Sequence, residues 1–400
     1  MYREMTVAVV VPAYNEEGYV GEVIDSLPAY VDRAYVVDDG STDGTWAEIT
    51  RHAEERNERH DGHFDDLVVA IRHEANRGVG GAIKTGYQRA RDEGIEATAV
   101  LGGDDQMDAA ELTRYLDPLA DGVADYTKGN RFTRPAHWDA MPRFRFVGNV
   151  VLSYLTKIAS GYWRTMDSQN GYSAISLDAL RETDIGGMYE YYGYCNDLLI
   201  RLNTAGMRIA DVPRSSEFAY EDGWKSHIDY REYVPRVSVM LLRGFGRRLH
   251  RKYLLADYHP IAPLYALGTA LAGAGGVGLL ASLTGRGQDG AANWLQGFVA
   301  GLFVFLYATL LDRDDNRDLE VRVDEPSDAG DGLGPNGRTA SANDDAGTER
   351  EPEAAAGNGT GSDDDAGTAE GGPVRDGPPR ETGDADREHR VDATAKGGER

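Results

Sequence analysis

Carboxylates recur at the ends of short apolar runs in the first 110 residues. Val36-Val37-Asp38-Asp39-Gly40-Ser41 reads as a strand closed by two aspartates and a turn, and Ala99-Val100-Leu101-Gly102-Gly103-Asp104-Asp105-Gln106 repeats the arrangement. Carboxylates at the carboxyl ends of parallel strands face the crevice where open α/β sheets bind ligands. A divalent cation carrying a diphosphate takes few protein carboxylates, because the phosphates supply the other oxygens. The pattern therefore points to a nucleotide site. In Val9-Val10-Val11-Pro12-Ala13-Tyr14-Asn15-Glu16-Glu17 a strand gives way to a tight exit and a helix start. Pro12 stops the ladder, Tyr14 offers a ring edge to a base, and Glu16 sits in a first helical turn, able to accept hydrogen bonds from a ribose or base.

These groups need a scaffold, and the first 130 residues alternate short apolar runs with helical stretches. Strands are expected at 7–11, 34–37, 67–71, 97–101 and 125–128, and helices at 17–27, 45–56, 81–93 and 109–119. Such alternation predicts an α/β fold with a mostly parallel sheet covered on both faces. Further on, 143–161 and 195–205 read as helices, and 172–176 and 209–212 as strands.

The first two stretches, with Asp38 to Thr45, resemble the family 2 glycosyltransferases, which have the GT-A nucleotide-sugar-binding fold. The resemblance implies a donor site built from Pro12, Tyr14, Glu16, Asp38 and Asp39, with Asp39 reading the nucleobase. Asn76-Arg77-Gly78-Val79-Gly80-Gly81-Ala82-Ile83-Lys84 also matches and adds Asn76 and Lys84. The family's Asp-x-Asp-x-Gln metal motif aligns Asp104 with the second aspartate and Gln106 with the glutamine, leaving Gly102 at the first aspartate. Asp104 and Gln106 are hard oxygen ligands suited to Mg²⁺ or Mn²⁺. Asp105 and Asp108 are the carboxylates close enough in sequence to compensate for Gly102.

Lys128 to Phe132, Met141 to Asn149, Asp167 to Tyr172 and Asn196 to Ile200 follow the order found in polyprenyl-phosphate hexosyltransferases of the dolichyl-phosphate mannose and glucose synthase type. This resemblance implies that Arg131, Arg143 and Arg145 bind donor and acceptor phosphates. It makes Asp104, Asp167 and Arg131 the catalytic group, Asp167 orienting the acceptor or helping to hold the metal. Where relatives carry a Ser-Lys pair that touches the diphosphate, this chain has Lys225 and His227.

Residues 228–258 read as an amphipathic juxtamembrane helix, with apolar Val234, Val237, Met240, Leu241 and Leu249 and basic Arg243, Arg247, Arg248, Arg251 and Lys252. Such a helix suits a membrane surface. Two nearly charge-free stretches within 259–311 approach the length needed to cross a bilayer, and Gly268, Gly273, Gly275, Gly276 and Gly278 suit close helix approach in lipid. The basic cluster before the first span sets the preceding domain, 1–227, on the cytoplasmic side, and two crossings return the tail, 312–400, to that side. The net charge is −25. Roughly −14 of it follows Leu311, in a tail too poor in apolar residues to offset its ordering entropy, which predicts disorder. An acidic, Lys-poor chain suits a salt-rich, halophilic archaeal cytoplasm and argues against a nucleic-acid partner. The single cysteine, Cys195, reads as a buried structural thiol.

The expected activity is inverting, metal-dependent transfer of a hexose from UDP-glucose or GDP-mannose to dolichyl or polyprenyl phosphate at the cytoplasmic membrane face, supplying lipid-linked sugar for glycosylation. Self-association is compatible with it. The alternatives are another lipid-linked or polysaccharide acceptor, or a membrane-anchored nucleotide-sugar-binding protein without catalysis.

Overall fold

The computed structural model describes residues 1–132, 143–214, 230–256, 258–284 and 291–323. An eight-stranded sheet in the order β3-β2-β1-β4-β6-β5-β7-β8 forms the centre. It comprises β1 (Val7–Ala13), β2 (Arg33–Asp38), β3 (Val68–Arg72), β4 (Ala97–Val100), β5 (Tyr126–Asn130), β6 (Ser173–Ser176), β7 (Ile209–Pro213) and β8 (Glu320–Arg322). β6 runs antiparallel to both of its neighbours; the remaining pairs are parallel. The strand order turns back between β1 and β4, and open sheets of this kind form their ligand crevice at such a point.

The continuous apolar run of β1 is explained by burial on both faces. Val7, Val9 and Val11 pack with Val20 and Ile24 of α1 (Val20–Asp25), Ile49 of α2 (Thr45–Asn57) and Leu112 and Leu116 of α4 (Leu112–Ala120). Ala8 and Val10 face the other way, toward Ile83 and Tyr87 of α3 (Val79–Glu93) and, further along that face, Leu198 and Leu199 of α7 (Tyr194–Thr204). Each fully buried Val or Leu contributes about 1.5–3 kcal/mol relative to exposure. Cys195 lies in the second core, where burial pushes its thiol up to about 11, so it is not a ready nucleophile.

α5 (Arg143–Ser160), α7 and α8 (Tyr230–Arg248) pack together through Ala159, Ile200, Val237, Met240 and Leu241. The amphipathic helix expected over 228–258 thus turns part of its apolar face onto the protein. The apolar stripe Val237, Met240 and Leu241 faces the protein, whereas Leu242 and Leu255 are exposed. Of the basic residues, Arg248 is fully buried, Arg247 pairs with Asp197, and Lys252 bonds Asn316; Arg243 and Arg251 stay exposed. A π-helical turn, Leu249–Ala256, extends α8.

α9 (Ile261–Leu283) and α10 (Ala291–Asp315) are long and apolar enough to cross a membrane. A helix of this length spans about 30–38 Å, the scale of a bilayer core. Only 11% of each apolar window is buried, and Val277, Leu280, Phe303 and Leu310 are at least 60% exposed. A helix apolar all round and uncovered by protein is suited to a lipid solvent. Gly268, Gly275 and Gly278 form the seam with α10; a Cβ at Gly268 would lie 2.6 Å from Phe305 N. Gly273 faces open space, and Gly276 meets only the Phe298 ring at ordinary contact distance.

The chain then returns to the sheet. β8 pairs with β7 in the register Ile209↔Glu320 and Asp211↔Arg322. A tail beginning at 312 is therefore corrected: α10 runs to Asp315, and residues 320–322 close the sheet edge. The expected disorder concerns residues outside those described. Asp312 and Arg248, both 0% exposed, pair at 2.6 and 2.9 Å. Tyr253 and Tyr265 donate to the same carboxylate, and Arg248 Nε donates to Ala159 O, so α5, α8, α9 and α10 meet at one buried point.

Candidate active site

The exits of β1 and β2 are sewn to each other. Asn15, at φ +58°, accepts from Thr42 N at 2.9 Å; its own N–H donates to Ser41 Oγ, and Glu16 N donates to Thr45 Oγ1. Asp105 (φ +54°) and Asp167 (φ +49°) also lie in the left-handed region. Three such non-glycine residues around one crevice fit a site whose backbone is held by its surroundings.

Asp38 and Asp39 have different roles. Asp38 is buried, accepts from Ser41 N at 2.9 Å and lies 3.0 Å from Arg72 Nε, so it holds the β2 exit. Asp39 is 2% exposed and accepts from His73 Nδ1 (2.7 Å), Arg77 N (2.9 Å) and Gly78 N (2.7 Å). A carboxylate has about four acceptor positions, so one remains for an incoming N–H. Gly78 is required here: its φ is +84°, and a Cβ would lie 2.5 Å from Glu190 O. Asn76 accepts from Gly78 N and closes the same loop. A cavity of about 250 Å³ beside Asp39 is lined by Gly40, Ser41, Arg72, His73 and Glu74. Tyr14 is 44% exposed, and Pro12 O receives Gly103 N, which brings the β1 and β4 exits together.

Lys84 is engaged within the protein: its ammonium is 2.5 Å from Glu190 and also donates to the carbonyls of Gly186 and Met188, so it ties α3 to the 186–190 segment.

Negative charge accumulates at the β4 exit. Burial pushes the Asp104 carboxyl up, partly offset by the Gln106 N–H and by Arg214. Glu16 is pushed up to about 7 by burial and by the charges of Asp104 and Asp43. Asp108 caps a short helical turn by accepting from Ala110 N, and Asp105 is exposed beside Asp104. A Cβ at Gly102 would lie 2.6 Å from Asp104 Oδ1, so an aspartate there would require Asp104 to move. Among the described residues no group of three His, Cys, Asp or Glu gathers for a metal. Asp104 and Gln106, beside uncompensated Glu16, fit a hard divalent cation whose remaining oxygens come from a diphosphate.

Asp167 is engaged within the protein. It is fully buried, and its oxygens accept from Arg131 Nε (2.7 Å), Nη2 (2.8 Å) and backbone N (3.1 Å), and from Asn170 Nδ2 (3.2 Å). Burial alone would raise its pKa, but Arg131 and Lys128 overcome this and hold it down at about 2. Asp167 is therefore an anion at neutral pH, and it holds Arg131 in place. Lys128, 1% exposed, pins the same loop through Met166 O and Asp167 O.

Two groups here were missed from sequence. His73 bridges Asp39 and Thr85. Arg214, just past β7, donates to Gln106 O at 2.7 Å and lies over the Tyr172 ring. Its signal was a lone arginine at a strand's carboxyl end. Lys225 and His227 lie outside the described residues, as do the side chains of Arg143 and Arg145 at the start of α5.

Residues 8–183 match the description of glycosyl transferase family 2. A UDP-N-acetylglucosamine–dolichyl-phosphate N-acetylglucosaminyltransferase of Methanococcus voltae is 31% identical over 208 residues, covering 51% of this chain and 82% of that protein. A dolichyl-phosphate hexose transferase of Haloferax volcanii is 30% identical, over 52% of this chain and 80% of its own length. An undecaprenyl-phosphate mannosyltransferase of Micrococcus luteus is 29% identical, over 52% and 82%.

Proposed function

The chain belongs to glycosyl transferase family 2, and on that premise we propose that it moves a hexose from a nucleotide sugar to the phosphate of a dolichyl or related polyprenyl lipid. The observation that carries this reading is the coupling of a nucleotide crevice to two lipid-suited helices through the buried Arg248–Asp312 pair. The relatives' acceptors, dolichyl and undecaprenyl phosphates, support the same class. UDP-glucose and GDP-mannose are the donors proposed. Basic residues exposed before α9, Arg243 and Arg251 among them, favour the cytoplasmic face for the crevice.

In this reading Asp39 uses its remaining acceptor position on the base, and Tyr14 borders it. Arg131, held by Asp167, and Arg214 bring guanidinium charge to the crevice, a charge suited to phosphate oxygens. A lipid phosphate is already an anion at neutral pH, so no side chain has to remove a proton before it attacks. Asp167 suits that requirement, being locked as an anion. In-line attack opposite the leaving diphosphate inverts the anomeric carbon. A divalent ion, Mg²⁺ or Mn²⁺, when bound at Asp104 and Gln106, would offset the charge of the leaving diphosphate.

The test is an Asp104→Ala variant in membranes supplied with labelled nucleotide sugar, polyprenyl phosphate and Mg²⁺ or Mn²⁺. Label entering the lipid phase should fall by at least about 10²-fold. Full transfer by the variant would contradict the assignment of Asp104.

A further inference from the structure

We propose that a basic pocket at the membrane boundary, separate from the crevice, binds the phosphate of an anionic bilayer phospholipid. The pocket measures about 370 Å³. Trp163 and Arg164 of the loop after α5, Arg313 and Asp314 of the last turn of α10, and Arg317 and Glu320 of the segment entering β8 line it, with Leu310 at its edge. Glu320 pairs with the first residue of β7, so the pocket lies at the amino ends of these strands, opposite the ends that carry Arg131 and Arg214.

Three features point to a phosphate. Arg164, Arg313 and Arg317 are exposed and, among the described residues, make no ion pair. Glu320 is turned onto the backbone, accepting from Trp163 N at 2.8 Å, from Thr165 N at 2.9 Å and from Arg164 N. Trp163 Nε1 is buried without an acceptor, so a neutral donor stands beside three charged ones. Guanidinium groups with an added N–H donor form the usual recognition set for a phosphate.

The depth points to a lipid as its source. Leu310, 60% exposed, and Leu311 end the apolar run of α10, and Arg313 is the first basic residue beyond them. Trp and Arg at that level lie where headgroups are found. A diacyl phosphate docked there could lay its chains along Leu306 and Leu310, which are exposed on α10.

The inference rests on α9 and α10 being membrane spans, and its test reads lipid retention, so it fails independently of the proposed transfer. The full chain, purified in detergent, is titrated with phosphatidylglycerol or phosphatidylcholine and weighed by native mass spectrometry. Wild type should retain a first phosphatidylglycerol about tenfold more tightly than phosphatidylcholine. Arg313→Gln/Arg317→Gln should lose that preference, while Arg243→Gln/Arg251→Gln, at exposed positions outside the pocket, should keep it. If the double variant does not melt cooperatively, Arg313→Gln alone is read, with a reduced preference expected. Equal retention of both lipids, or an unchanged preference in the pocket variants, would overturn the proposal. So would displacement of phosphatidylglycerol by millimolar inorganic phosphate or by equimolar polyprenyl phosphate, which would reassign the pocket to a free anion or to the acceptor.

Discussion

Asp167 grips Arg131 through both carboxylate oxygens, at 2.7 and 2.8 Å, from a position with no exposed side-chain surface. In the proposed reaction the two residues have separate roles: Arg131 brings positive charge to a phosphate, and Asp167 sets its direction. Arg131→Ala should lower kcat/KM by about 10²–10³-fold. Asp167→Asn keeps the shape but removes the charge that aims the guanidinium, and should cost less, about tenfold, chiefly in kcat. The folded pKa of Asp167 is depressed to about 2, so its stabilisation is present above the ordinary value of 3.8 and is lost as pH falls through that window. Asp167→Asn should therefore flatten the acid limb of thermal midpoint against pH. Unchanged kinetics together with an unchanged acid limb would contradict this role.

Glu16 works in the opposite sense. Its folded pKa, about 7, lies above the ordinary 4.5, so ionising it costs stability, and the cost grows as pH rises between those values. Glu16→Gln should leave stability at pH 4 unchanged and raise it at pH 8 by about 1–2 kcal/mol, a figure discounted for partial solvent screening. Thermal melts of ligand-free protein at the two pH values check this. Equal shifts at both would show that Glu16 is not held by the carboxylates around it.

Arg214 is the unforeseen cation of the crevice. Arg214→Ala should weaken nucleotide-sugar binding by about 10–100-fold, as expected for a lost charge-assisted contact, while shifting the thermal midpoint little. Calorimetric titration of a nucleoside diphosphate into each protein reads the difference. Unchanged affinity would remove Arg214 from the donor site.

The buried Arg248–Asp312 pair makes a structural prediction. Asp312→Ala leaves a guanidinium uncompensated at 0% exposure and should cost about 3–5 kcal/mol. Arg248→Met/Asp312→Leu removes both charges and should recover much of that loss, since apolar replacement of a buried pair is often neutral. Denaturant unfolding in detergent, followed by circular dichroism, compares the three proteins. A double variant as damaged as the single one would show that the hydrogen bonds from Tyr253 and Tyr265 matter more than the ion pair.

The strands that carry the crevice could be read from sequence because each is a short apolar run ending in a polar turn, as in Val7–Ala13 and Ala97–Val100. The closeness of the Asp104 turn to the β1 exit comes from the pairing of β4 with β1, which the sequence pattern does not specify. Partner choice could not be read, because it is decided by tertiary contacts. Lys84 sits in a glycine-rich helix start that looks made for phosphate, yet Glu190, far along the chain, takes its charge. Arg248 and Asp312 looked like a surface cation and the first residue of an acidic tail, and each is buried because the other is there. β8 is three residues long and carries no strand signal of its own; its pairing with β7 is set by the return of α10.

The central claim is a sugar transfer from a nucleotide to a lipid phosphate. The most direct measurement incubates membranes containing the full chain with Mg²⁺ or Mn²⁺, dolichyl phosphate and a panel of labelled nucleotide sugars, then counts label in the organic phase. The account predicts label from one donor, dependent on both the lipid phosphate and the cation. No lipid-phase label from any donor, with the donors still bound, would contradict it.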